Sequence, residues 1–395
     1  MRLKASCSLV LTYILVVAAV VTPFSLSALA KPKFKMLATV TGGLWSGLTL
    51  DSKGNLFGAT NAGGQYGHGS IYEVAHNPNG TWTATTLYSF NGSDGALPRG
   101  GLIFDANGNM YGVTSGGGAY YNGTVFELSL NDGVWNLSTL FSFCEQYGCS
   151  DGSSPSAGMV QDEDGNLYGT ANGGLYGLGV VFELSPGLDG WTESVLYTFG
   201  SRPDDATASD APLMFDGPGL YGASLGGGLY NDGTIFRLQK RADGWKERLS
   251  WQFDSKDGAD PLGALVFDSK GNLYGATNGG EACVFELVPK ANGGWKEIVL
   301  HRFQNHANGF APATGLARSP AGTLYGTTAL GGNGQCYDGC GVVYQLASVA
   351  PDKWEYKVLY EFVSTSQSPP DGQLVLDAKG NLYGTAFSLV YEVTP

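Results

Sequence analysis

Side chains able to do chemistry are few in this 395-residue chain, and most of them belong to a repeat. The histidines are only His68, His76, His301 and His306, and no G-x-S-x-G, H-E-x-x-H or phosphate-loop pattern occurs anywhere. Tyrosines and aspartates are the richer supply. Tyr66, His68, Tyr120, Tyr121, Tyr176, Tyr230 and Tyr337 stand in Gly-rich connections such as "TNAGGQYGHGS", "TSGGGAYYNG", "ANGGLYGLG" and "SLGGGLYNDG". Asp94, Asp151, Asp257 and Asp371 stand in a second set, "SDGALPRG", "SDGSSPSAG", "KDGADPLG" and "PPDGQ". A tyrosine gives a rigid amphipathic face and a hydroxyl at low entropy cost, which suits a sugar or a peptide. It can also simply pack over loop glycines, and an Asp-Gly pair can be only a turn.

A glycoside hydrolase or polysaccharide lyase would need two carboxylates, or a Tyr/His pair, held some ångströms apart. An active site usually breaks a repeat's symmetry. The breaks are the "CEQYGC" loop, the loop carrying Cys336, Tyr337, Asp338 and Cys340, and His68. "DEDGN" at 162–166 begins like a calcium loop, but Leu167 stands where the turn glycine belongs and Gly173 where the bidentate glutamate belongs. An EF-hand is excluded. Calcium held by a ring of aspartates is the one cofactor left open, and no other metal is expected.

Cys144 with Cys149, and Cys336 with Cys340, each close a short loop; no histidine lies near either pair, so disulfides are expected rather than a metal site. Cys283 lies in the apolar run "ACVFEL" and reads as a buried, inert thiol. The chain opens with Arg2 and Lys4, then "LVLTYILVVAAVV", then Ala28-Leu29-Ala30. A positive start, a short apolar stretch and an A-x-A site predict a signal peptide over 1–30, cut after Ala30, and a secreted or periplasmic product. The net charge of −13 becomes −15 when Arg2 and Lys4 leave with that segment. Such a chain, with no basic stripe, is a poor partner for nucleic acid or an anionic membrane. No membrane contact is expected after cleavage, and a monomer is expected.

What must position these residues is a seven-fold unit. The aromatics Phe57, Tyr111, Tyr168, Tyr221, Tyr274, Tyr325 and Tyr383 of the "GNLYG" motif recur at separations of 54, 57, 53, 53, 51 and 58 residues. Each unit contains four strand-like pieces. The second unit's are "GLIFD", "NMYG", "GTVFEL" and "WNLSTLFSF", bounded by Gly, Asn and Asp. Six tryptophans (82, 135, 191, 245, 295 and 354) open the fourth piece and are expected to cover blade edges. No sustained helical period appears, and Gly, at 61 residues, is about double the usual share. The seventh unit lacks its fourth strand, while an orphan "KMLATV" at 35–40 precedes the first unit, with Leu37–Val40 in the register of Leu87–Phe90. Ends that complement each other close a ring and remove the exposed sheet edge. The expected fold is all-β: a seven-bladed β-propeller of four-stranded antiparallel blades over 31–395, closed by its N-terminal strand. The small residue after each motif aromatic is expected to permit close backbone approach near the axis.

The unit "GL-x-x-D-x-x-GNLYGTT-x-x-GG…GTVFEL…LYSF" resembles the tandem-repeat family named GloVer, after the Gloeobacter and Verrucomicrobia genomes, across nearly all of 35–395. It is also similar to the looser "D-x-x-G-x-L-W-x-G-T" propeller repeats of sensor ectodomains. The resemblance implies an exported protein and leaves activity open. Members often carry a C-terminal surface anchor, which the strand ending at Pro395 does not supply. Taken together, an exported binding module for an extracellular glycan or protein leads, ahead of a surface scaffold and a carbohydrate-active enzyme. Its tyrosine- and aspartate-bearing connections would form the binding face.

Overall fold

Short apolar and aromatic runs broken every few residues by Gly, Asn or Asp can close only as antiparallel hairpins. The computed structural model describes residues 31–395 apart from 45, 208–209, 305 and 365–368. The leader expected over 1–30 lies outside the described residues. In the second unit the strands are Ala96–Phe104, Met110–Gly116, Thr124–Asn131 and Val134–Ser142, each paired with the next. Seven such sheets follow in chain order, giving a seven-bladed β-propeller. In the sixth, the inner strand is split into Phe310–Pro312 and Ala317–Arg318. Helix among the described residues is confined to two 3-10 turns, Tyr147–Cys149 and His306–Asn308.

The ring closes as the sequence predicts. Lys33–Thr39 pairs with Leu389–Thr394 and supplies the missing outer strand of the seventh blade. The Val40 amide donates to the Ser388 carbonyl at 2.8 Å, as the Phe90 amide donates to Gly69 at 3.0 Å. That is the predicted register, and it gives the seventh blade the outer strand that its own end of the chain lacks.

The core is divided among the junctions between blades. Seven apolar clusters form, one at each junction. The outer-strand tryptophans act as staples across these seams. Trp82 meets Tyr383, Trp191 meets Tyr111, Trp295 meets Tyr221 and Trp354 meets Tyr274, each the motif aromatic of the preceding blade.

The glycine after the motif aromatic is explained by space rather than by backbone conformation. A Cβ on Gly112 would stand 2.5 Å from the Phe126 ring, and one on Gly169 2.6 Å from Phe182. The third-strand aromatic lies across the second strand there, and only a hydrogen fits beneath it. Close approach is therefore real, but what approaches is a ring from the neighbouring strand.

Candidate functional site

Antiparallel connection order puts the links between strands two and three, and the links between blades, on one face of the ring. The opposite face holds the tight turns between strands one and two and the hairpins between strands three and four. The two faces are built differently.

On the turn face the repeated aspartate is spent on structure. Asp162 accepts from the amides of Asp164 (3.0 Å) and Asn166 (2.8 Å), from Asn166 Nδ2 (2.9 Å) and from the Tyr168 hydroxyl (2.9 Å). Glu183 stands 2.7 Å from the same hydroxyl, whose one proton the two carboxylates share. Burial pushes the Asp162 carboxyl up, but the bonds from Asn166, Tyr168 and the Asp164 amide outweigh it and hold it below its ordinary value. Gly165, at φ +87°, takes the left-handed position that the turn requires. The amide bonds of this brace recur around Asp51, Asp105, Asp268 and Asp377, and the tyrosine hydroxyl joins in all but the first, where the aromatic is Phe57. The calcium-like spelling at 162–166 is thus a hairpin turn whose oxygens are already engaged. Among the described residues no three His, Cys, Asp or Glu are grouped as a cation site.

The loop face carries exposed aromatics. Tyr66, Tyr120, Tyr121, Tyr176, Tyr230 and Tyr337 are all exposed, Tyr121 at 82% and Tyr337 at 92%. His68 is exposed beside them. Leu175, Leu178, Leu229 and Phe387 stand exposed in the same class of connection. Tyr120 and Tyr121 share one loop; the others come one to a blade, spread around the ring. The two predicted disulfides form, Cys144–Cys149 and Cys336–Cys340, and both pin connections of this face. Cys283 is a free, buried thiol, pushed up to about 12 by burial.

The interblade aspartates take different roles. Asp94 accepts from the Tyr88 hydroxyl at 2.6 Å and the Asn91 amide at 2.9 Å. Asp257 accepts from Trp251 Nε1 at 3.1 Å and the Asp254 amide at 2.9 Å. Asp151 is fully buried; one oxygen accepts from the Glu145 amide at 2.8 Å and the other has no hydrogen-bond partner. These three brace loops, whereas Asp371 lines the central channel.

That channel, a cavity of about 410 Å³, is walled by the innermost strands of all seven blades. Its ionisable lining is Arg99, Asp210 and Asp371. Asp210 accepts from the Ser156 hydroxyl. Burial pushes the Asp371 carboxyl up to about 6. The sequence singled out Asp371 but missed Arg99 and Asp210, because an inner strand is legible only once the ring is closed.

Three glutamates were also missed. Glu193, Glu247 and Glu297 sit on the outer strands of blades three to five, where each faces an interblade aspartate. Burial, reinforced by Asp151, pushes Glu193 up to about 7. Burial and Asp257 raise Glu297 to about 7 against the pull of Arg302. Glu247 rises to about 8 because burial and Asp205 outweigh the contacting Arg202 guanidinium. The signal was present in the sequence as W-x-E in three consecutive units.

A closed ring of seven four-stranded blades, with an aromatic loop face and a narrow axial channel, defines a β-propeller of the repeat type. The Gloeobacter/Verrucomicrobia repeat matches residues 30–186 and again 136–299, and the chain belongs to that family. No curated protein matches the sequence. Among solved structures, a streptogramin B lyase superposes with a TM-score of 0.58 at 13% identity, covering 92% of this chain and 97% of that one. An ancestral GH74 enzyme superposes at 0.63 with 12% identity, covering 90% of this chain and 48% of that one. The extracellular domain assigned to a one-component system of B. thetaiotaomicron superposes at 0.60 with 12% identity, covering 91% and 40%. The chain spans less than half of the last two. At such identities the likeness is one of fold.

Proposed function

We propose that this protein is an exported binding propeller that engages an extracellular glycan or protein with its aromatic loop face. The carrying observation is the segregation of exposed aromatics. Tyrosines of the motif and core are buried or half-buried, while those of the strand two-to-three connections are exposed on one face. Tyrosine side chains have few rotatable bonds and so cost little ordering when they meet a ligand, and Tyr337 stands in a loop closed by Cys336–Cys340. Two intrachain disulfides fit an oxidising compartment and so support export. Tyr66, Tyr120, Tyr121, Tyr176, Tyr230 and Tyr337 are the contact residues in this reading, with His68 beside them.

A glycan panel read by retention tests it. A specific hit that weakens about tenfold or more in Tyr120→Ala and Tyr176→Ala supports the loop face, since a base-like stacking contact is worth about 1–3 kcal/mol. Retention unchanged in both variants counts against it. A carbohydrate-active enzyme is the competing reading, and it rests on Asp371, a carboxyl in a channel with its proton affinity raised. Product release from a bound glycan that disappears in Asp371→Asn would favour it.

A further inference from the structure

Blade four departs from the repeat on the turn face, opposite the proposed ligand loops. The third-strand residue after the core aromatic is glutamate in five blades, Glu73, Glu127, Glu183, Glu286 and Glu392, and Gln345 in the sixth. Blade four has Arg237. Its cross-strand neighbour is Arg248, so two cations stand directly opposite each other. The equivalent pairs elsewhere are Glu183 with Ser194, Glu286 with Ile298 and Glu392 with Lys35. Like charges directly opposite destabilise a sheet pair. Arg237 has a carboxylate partner in Asp216 but Arg248 has only a carbonyl, so the pair keeps a repulsion that an anion would relieve.

A groove of about 280 Å³ runs beside this pair, between blades four and five. Arg237, Arg248, Lys290, Tyr221 and Trp295 line it. Asp216 is the single acidic lining residue, and it accepts from Arg237 at 3.1 Å. Arg237 lies 5.2 Å above the Tyr221 ring, which fixes the guanidinium in place. Arg248 is held by the Gly293 carbonyl at 3.1 Å, so its fork is partly preorganised. Three cations against one carboxylate leave a local surplus of positive charge on a chain of net −13. The indole of Trp295 and the ring of Tyr221 add flat apolar surface to the same groove.

We propose that this groove binds the carboxylate of an acidic sugar, with Arg248 and Lys290 taking the anion and Trp295 offering a face to the sugar ring. Planar guanidinium forks suit carboxylates, and aromatic faces suit the C–H surface of a pyranose. The volume, about 280 Å³, lies just below the ~300–1,000 Å³ range of ligand pockets, which fits one ring rather than a long segment. The site is independent of the loop face.

Calorimetric titration of the whole protein with a uronic-acid trisaccharide, its carboxyl-reduced neutral counterpart and a short peptide with a free C-terminus tests the assignment. The expected result is saturable binding of the acidic sugar only, weakened at least tenfold in Arg248→Ala and in Arg237→Glu and reduced by added salt. The thermal midpoint of each variant is measured beside the titration, and Arg237→Gln, which installs the neutral residue that blade six carries as Gln345, should weaken binding as well without setting a carboxylate beside Asp216. Tyr120→Ala should leave this binding unchanged, which separates it from the loop-face reading. Absence of saturation, equal binding of the neutral sugar, tighter binding of the peptide, or unchanged affinity in Arg237→Glu would each overturn the proposal.

Discussion

Blades three and four differ at one network, and the difference separates what the repeat does for the fold from what it leaves free. In blade three, Asp162, Asn166, Tyr168 and Glu183 satisfy one another in a closed set of hydrogen bonds. Blade four keeps the aspartate and the tyrosine, as Asp216 and Tyr221, but shortens the turn to "DGPGLY" and replaces the glutamate with Arg237. Asp216 is left with one ion pair at 3.1 Å and a side chain 49% exposed. The motif is thus an internal brace in one blade and the wall of an open cationic groove in the next. Identity of residue type at a repeat position does not carry identity of role; the partners decide.

The largest predicted effect breaks this comparison directly. Asp162→Ala removes the acceptor for four donors and should lower stability by ~2 kcal/mol, about the worth of one net bond to a charged group, because the exposed turn amides regain water in place of the others. Asp216→Ala should cost under ~1 kcal/mol, the worth of an exposed ion pair. Urea denaturation of both variants checks the pair. Equal costs would mean that the blade-three brace is no stronger than a surface contact.

A second contrast sets the depressed aspartates of the turn face against the raised glutamates of the seams. Asp105, Asp162 and Asp377 lie below their ordinary value: burial acts against them, and hydrogen bonds from Asn109, Asn166 and Asn381 prevail. Their contribution is present above the ordinary carboxylate range and is lost as pH falls through their folded values. Glu193, Glu247 and Glu297 run the other way, with burial raising them to about 7, 8 and 7. The folded state holds their protons more tightly, so that contribution is full below the ordinary glutamate value and is lost as pH rises through 7 to 8. The melting temperature should therefore fall between mildly acidic and mildly alkaline pH, by several degrees. Glu193→Gln with Glu297→Gln should flatten that slope. A parent protein whose midpoint is level across the same window would refute the assignment.

The sequence made the architecture legible because the propeller is written in residue types with local meaning. Asp, Asn and Gly spell the turn, the motif aromatic and the following glycine spell the packing, and the orphan strand ending at Val40 announces the closure. The loop face was legible for the same reason, since Tyr121 and Tyr337 sit in connections that no core can cover. Arg99 and Asp210 were not legible, and the Glu193, Glu247 and Glu297 series was legible only as a W-x-E spelling whose burial was not. Their surroundings are made by residues some fifty positions away, brought in only by blade-to-blade packing. Arg237 was visible as a departure from "FEL" to "FRL", but its consequence depends on Arg248 across the strand pair and Lys290 on the next blade.

The smallest predicted effect concerns the ring that lies over the motif glycine. Blades two to five use Phe126, Phe182, Phe236 and Phe285, all fully buried. Blades six, seven and one use Tyr344, Tyr391 and Tyr72, equally buried, and none of their hydroxyls has a hydrogen-bond partner. Each hydroxyl lies over Gly326, Gly384 or Gly58, within 2.4 Å of where a Cβ would stand. A buried hydroxyl without a partner costs about 1–3 kcal/mol of desolvation. Tyr344→Phe should therefore raise stability by ~1 kcal/mol, because it installs the ring that four other blades already use and removes only the unpaired oxygen. The same exchange in the opposite sense, Phe182→Tyr, should lower stability by a similar amount: the ring tip stands 2.6 Å from the Cβ position of Gly169, as that of Tyr344 does from Gly326, so the hydroxyl would fit over the glycine but be buried without a partner. Denaturation midpoints of the two variants decide it: if Tyr344→Phe loses stability instead, the hydroxyl has a role in blade six that the phenylalanine blades do without.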